Sequence, residues 1–122
     1  MADHNLFGIE AEKQAADFLE KKGYEIIERN WTFLKAEIDI IARDPEKDEL
    51  VIVEVKARKK EPLVLPELAV NKKKRRLLIT AADEYIVSNE IDLDCRFDII
   101  SIEKSKDEWF IDHIENAFFS FE

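Results

Sequence analysis

The chain has 122 residues, 39% of them charged and 46% hydrophobic, with a net charge of −9 and one cysteine. That length gives one domain with a real core, spanning residues 1–122, and the hydrophobic share excludes a disordered chain. The lone Cys95 excludes an intrachain disulfide, as suits a reducing cytosol, and the acidic total argues at first against a phosphate-rich partner.

Met1-Ala2-Asp3-His4-Asn5 has no basic region followed by an apolar run, so no signal peptide is expected. No stretch approaches membrane-spanning length, and a cytoplasmic protein without membrane contact is expected. Residues 6–22 read as a helix. Apolar residues recur at helical spacing, and Lys21-Lys22-Gly23 closes it with dipole-favourable cations and a terminal glycine. Glu12 shares a face with Gly8, Ala15, Ala16 and Leu19. A carboxylate among small apolar residues is costly to bury alone. An ion pair or a metal would resolve it, and so would escape to solvent at the helix edge.

A strand is expected over 24–31, followed by a hairpin of two acid-bearing strands. These are Glu37-Ile38-Asp39-Ile40-Ile41 and Leu50-Val51-Ile52-Val53-Glu54-Val55-Lys56, joined by a polar, proline-containing loop over 44–49. Closing the hairpin with Arg43 opposite Leu50 sets Asp39 opposite Glu54 and Glu37 opposite Lys56, all four on one face. Ile38, Ile40, Ala42, Val51, Val53 and Val55 form the other face. Like charges opposed across a ladder are destabilising. A divalent cation with a nearby lysine is the natural compensation.

Positive charge clusters directly after this hairpin. Residues 54–76 hold nine Lys or Arg against three Glu, a local excess of +6 in a chain of net −9. The strip comprises Arg58, Lys59, Lys60, Lys72, Lys73, Lys74, Arg75 and Arg76, with Lys56 beside the acids. Charge runs are usually solvated faces. A basic strip beside paired acids on an acidic chain is more specific, because it can hold a phosphate backbone at the carboxylates. Pro62 and Pro66 mark a loop over 58–66, and a second helix begins at 68 or 71 and runs to about 88, with Asn71 as its N-cap. Two more strands, 96–103 and 109–114, flank a Lys104-Ser105-Lys106-Asp107 turn. This order gives an α/β layer structure with helices packed on a sheet.

Hard oxygen donors of this kind suit Mg2+ or Mn2+. Asp39 and Glu54 provide a carboxylate pair on rigid strands, and Lys56 points to the same face, where it holds water or offsets charge on phosphorus. The reaction this implies is metal-dependent hydrolysis of a phosphodiester. His4 and His113 are far apart with no cysteine at ligand spacing, which disfavours zinc. With Gly8 and Gly23 the only glycines there is no phosphate-cradling loop, and no nucleophile elbow is present. Cys95, Trp31 and Trp109 read as packing residues.

The acid, turn and Glu-x-Lys spacing resembles the PD-(D/E)xK nuclease superfamily. Nearly the whole chain is similar to a bacterial family usually called YraN, related to the Holliday junction resolvases. The resemblance rests on Gly8-x-x-Ala11-Glu12-x-x-Ala15-Ala16 and Gly23-Tyr24-x-Ile26-Ile27-x-Arg29-Asn30, then Ala36-Glu37-Ile38-Asp39-Ile40-Ile41 and Val53-Glu54-Val55-Lys56-x-Arg58. It continues through Ala69-Val70-x-x-x-Lys74, Arg96-Phe97-Asp98 and His113-Ile114-x-Asn116-Ala117-Phe118. Ala11 and Ala36 stand where the family usually has glycine, and Ile38 replaces the proline of the superfamily's name.

The resemblance implies a restriction-endonuclease-like, resolvase-like fold: a central mixed β-sheet of about five strands flanked by helices. It implies an endonuclease acting on DNA, branched or otherwise structured. Asp39, Glu54 and Glu12 are then its metal ligands, Lys56 its catalytic lysine and Lys74 a phosphate contact, with Glu37 near the site. A homodimer would match the two-fold resolvases. The alternative is a catalytically silent nucleic-acid-binding module with the nuclease fold. A third reading is a protein-interaction domain using Ala117-Phe118-Phe119-Ser120-Phe121, although core packing is favoured for those aromatics. Arg96-Phe97-Asp98 is read as a structural ion pair on an edge strand.

Overall fold

The computed structural model describes residues 5–59 and 70–120. Helix α1 (Leu6–Lys21) starts at Asn5, whose side chain accepts from the Gly8 N–H, and gives way at Gly23, which adopts φ +93. No atom lies within 4 Å of a Cβ built at Gly23, so the left-handed backbone, not crowding, favours glycine there. Three strands follow, β1 (Glu25–Phe33), β2 (Ala36–Asp44) and β3 (Glu49–Lys59), then α2 (Lys72–Ser88), β4 (Asp94–Ser105) and β5 (Glu108–Phe118). Asn71 caps α2 as expected, accepting from the Lys74 N–H at 2.9 Å. The expected loop with Pro62 and Pro66 lies mostly outside the described residues, Lys60 with it. Arg58 and Lys59, assigned to that loop from sequence, instead extend β3.

The five strands form one sheet in chain order, β1-β2-β3-β4-β5. Neighbours are antiparallel except β3 and β4, which run parallel and are joined by α2. This is the mixed sheet flanked by helices of the restriction-endonuclease-like fold. Each helix covers its own core layer. Ala11, Ala15, Ala16 and Leu19 of α1 pack with Ile40, Ala42, Val51, Val53 and Val55. Leu78, Ala81, Ala82 and Tyr85 of α2 pack with Ile38, Ile41, Leu50, Ile52 and Phe97. Small residues on both helices let the backbones approach the sheet closely. Phe118 is buried and stacks on Phe97 at 4.9 Å, so the C-terminal aromatics do partly cover their own sheet.

Arg96 is on an interior strand, not an edge strand, and is buried. It donates to Asp98 through Nε at 2.9 Å and Nη2 at 3.0 Å, to Asp44 at 3.0 Å, to Glu49 at 2.9 Å and to the Tyr24 hydroxyl at 2.7 Å. Asp98 also meets His113 Nε2 at 2.7 Å, while His113 Nδ1 lies 2.8 Å from Lys22 Nζ. An ammonium can only donate, so Nδ1 accepts and the Nε2–H donates to Asp98. Burial pushes Asp98 up, but the His113 and Arg96 hydrogen bonds outweigh it and hold the carboxyl below the usual range. These residues tie the start of β3 and β4 to the ends of β2 and β5. Arg96 is level with Val51 and Asp98 with Val53, so the network stops one residue short of Glu54 along the strands.

Candidate metal and phosphate site

The hairpin register is the one expected from sequence, from Asp44 opposite Glu49 to Ile40 opposite Val53. There the pairing ends. The next free backbone donor on β3, Val55 N–H, is taken by Asp39 Oδ2 at 2.8 Å. Asp39 therefore sits in the fork where β2 and β3 part, fully buried. Across β1, Asn30 falls opposite it, between the paired Arg29 and Trp31, and adopts φ 54. Asparagine is among the residues that tolerate that left-handed backbone.

Side-chain alternation breaks at this fork. Ile38 packs in the α2-side layer with Ala36, although the expected register put it with Ile40 and Ala42. Glu37 and Asp39 turn instead toward Glu12 on α1, and one carboxylate oxygen from each of these three residues lies within 4.8 Å of the others. Glu12 is buried at 2% exposure, so escape to solvent at the helix edge is not its resolution. The set that converges is thus Glu12, Glu37 and Asp39, with Glu37 where the sequence reading placed Glu54.

Glu54 faces the other helix. Its Oε1 accepts from Lys74 Nζ on α2 at 2.5 Å, and its Oε2 is buried with no hydrogen-bond partner among the described residues. Burial first, and then the negative charge of Asp39, push the Glu54 carboxyl up, against the pull of Lys74. The three acids on one face of the expected hairpin are therefore divided. Two join Glu12, one joins Lys74, and Asp39 remains close enough to Glu54 to be felt electrostatically. Lys56 is half-buried on β3, two residues beyond Glu54 and on its side by strand alternation.

The donor set fits a hard dication. It is all oxygen, on strands and a helix rather than loops, and Glu54 Oε2 is a buried lone pair open to a cation. Among the described residues no histidine or cysteine joins the group, as a zinc centre would require.

Part of the basic strip is already engaged. Arg58 is half-buried and pairs with Glu103 at 3.3 Å, and Lys74 holds Glu54. Lys59, Lys72, Lys73 and Arg76 are exposed, and Arg75 is half-buried. A cavity of about 240 Å³ opens beside the acids, lined by Lys35, Ala36, Glu37, Asn71, Lys73, Lys74, Leu77 and Leu78. A second, of about 480 Å³, gathers Lys59 with Lys104 and Ser105 at the end of β4 and Lys106 of the β4–β5 turn. Sequence reasoning missed Lys35, Lys104 and Lys106 because each lies in or beside a turn, away from the basic run. The lysine-bearing turns between strands were the available signal.

Residues 11–102 match a family model described as "Uncharacterised protein family UPF0102". That span contains Glu12, Glu37, Asp39, Glu54, Lys56 and Lys74. A UPF0102 protein of Flavobacterium psychrophilum is 49% identical over 121 residues, covering 99% of this chain and all of the relative. Counterparts in Phocaeicola vulgatus and Parabacteroides distasonis are 45% and 44% identical, each covered over 97% or more of its length.

Proposed function

Since the chain belongs to the UPF0102 family, whose name assigns no reaction, we propose from its site that it is a metal-dependent endonuclease hydrolysing phosphodiester bonds of DNA, branched or structured DNA in particular. The observation that carries this reading is the convergence of Glu12, Glu37 and Asp39 within 4.8 Å at the fork of an acidic hairpin. Three carboxylates crowded into a buried space repel one another, and a stable fold keeps such a cluster where a cation relieves it.

In this reading Asp39 and Glu12 hold Mg2+ or Mn2+, Glu54 joins them by turning from α2, and Glu37 lies beside them. A hard dication bound there supplies Lewis acidity toward a phosphoryl oxygen and lowers the pKa of adjacent water. Val55 N–H fixes one oxygen of Asp39, so the carboxylate enters the reaction pre-oriented. The Lys56 ammonium donates hydrogen bonds to the attacking water and to a non-bridging phosphoryl oxygen, where negative charge grows as the water oxygen adds to phosphorus. One P–O bond forms, the bond to the departing sugar oxygen breaks, and that oxygen takes up a proton. The products are a phosphomonoester end and an alcohol. Lys35 and Lys73 line the adjacent cavity and attract the flanking backbone phosphates.

The test is cleavage of a four-way junction, a flap, a single strand and a plain duplex with Mg2+ or Mn2+, by the parent chain, Asp39→Asn and Lys56→Ala. Metal-dependent cutting by the parent, lost in both variants, is the expected result. Salt-sensitive binding without any cutting by the parent would replace the proposal with a silent nucleic-acid-binding module.

A further inference from the structure

Glu54 is a buried carboxyl group set beside another acid. Its side chain is 3% exposed, it lies in the field of Asp39, and one of its oxygens has no hydrogen-bond partner among the described residues. The cation it has is the Lys74 ammonium, 2.5 Å away. Lys74 is unlike a locked structural partner. Its side chain is 42% exposed, it stands in the first turn of α2, and its long stem borders the 240 Å³ cavity shared with Lys35 and Lys73. The backbone of Lys74 is pinned by the Asn71 side chain at 2.9 Å, so the ammonium can move while the helix stays in place.

Resting on the metal-site reading above, we infer that Lys74 is a resident counter-cation of Glu54 that a divalent ion displaces, so that metal loading and release of the Lys74 ammonium are one coupled event. The converging acids lie toward α1 and Lys74 stands on α2, so a dication that draws Glu54 to those acids draws it away from Lys74, and the two cations also repel each other. Metal at Glu54 therefore frees Lys74, and the freed ammonium turns into the cavity beside Lys35 and Lys73. The cavity gains a positive charge only in the loaded state. Metal binding and anion binding then reinforce one another, as linkage between two sites requires. Without metal, the ion pair keeps Glu54 neutralised and the cavity less cationic, which orders the events as metal first and phosphate second.

The experiment is calorimetric titration of the full chain, of Lys74→Met and of Lys74→Arg with Mg2+, together with nitrogen NMR of the Lys74 side chain in the parent. Lys74→Met should bind Mg2+ more tightly by roughly 5–150-fold, the span of ordinary site-to-site coupling. Lys74→Arg should stay near the parent. The parent's Lys74 ammonium resonance, held in place without metal, should be lost over the same Mg2+ range. Binding by Lys74→Met no tighter than the parent's, or a Lys74 resonance unmoved at saturating Mg2+, overturns the exchange while leaving the metal site standing. No Mg2+ uptake by parent and Lys74→Met alike overturns the metal site itself, a result the titration distinguishes from the first.

Discussion

Asp39 Oδ2 accepts the Val55 N–H at 2.8 Å, at the position where the β2–β3 ladder would otherwise continue. One side chain thereby closes the hairpin's hydrogen bonding and holds a carboxylate in the fork. The two roles separate by mutation. Asp39→Asn keeps a side-chain oxygen for Val55 and removes a charge from a crowded acidic group, so its stability should equal or exceed the parent's while activity disappears. Asp39→Ala leaves a buried N–H unsatisfied and should lose about 1–3 kcal/mol. Urea denaturation of both variants beside the cleavage assay checks the pair.

Arg96 is the main ionic tie where β3 and β4 begin. Its side chain has no exposure and pairs with Asp98, Asp44 and Glu49. Arg96→Met fills much of the volume but strands buried carboxylates, and should destabilise by about 3–5 kcal/mol. Metal affinity of the folded variant should stay near the parent's, because Arg96 bonds Asp98, Asp44, Glu49 and Tyr24 and none of Glu12, Asp39 and Glu54. A denaturant midpoint equal to the parent's would contradict this role.

The same ties govern acid stability. Burial raises Asp98 and Asp44, yet hydrogen bonds outweigh it, from His113 and Arg96 for the first and from Arg96 and the backbone of Lys47 and Glu46 for the second. Both carboxyls are held below the ordinary aspartate range. A depressed folded-state pKa contributes stability that is present above the unfolded value and lost as pH falls through the folded one. The parent should therefore lose stability steeply below about pH 4. Arg96→Met should show a shallower loss there, read from denaturant midpoints across pH.

Binding to DNA should depend on the exposed lysines, not on the paired arginine. Replacing Lys72 and Lys73 by alanine removes two candidate phosphate contacts, and the salt slope should fall by about 2, at ~0.9 per duplex phosphate. Arg58→Ala should alter stability more than binding, because Arg58 already serves Glu103. Fluorescence anisotropy over a salt series separates the two.

The hairpin was legible in sequence because binary alternation and a proline-bearing loop specify register locally, and all observed pairs from Asp44–Glu49 to Ile40–Val53 obey it. Residue spacing likewise put Glu12 on the small-residue face of α1, and the structure buries it there. The redistribution of the acids was hidden. Alternation assumes an unbroken strand, whereas Asp39 turns toward α1 where the β2–β3 pairing ends. The Glu54–Lys74 pair was hidden for a related reason, since its partners are 20 residues apart and belong to different layers. Arg96 could be seen to pair with Asp98, two residues away on its own strand. Tyr24, Asp44 and Glu49 come from other elements, and no local pattern announces them.

The most direct measurement is anomalous diffraction from crystals soaked in Mn2+. A peak held by Asp39 and Glu12, with Glu54 turned toward it from Lys74, is the result this account predicts. Strong manganese peaks elsewhere on the molecule, with nothing among Glu12, Asp39 and Glu54, would contradict it.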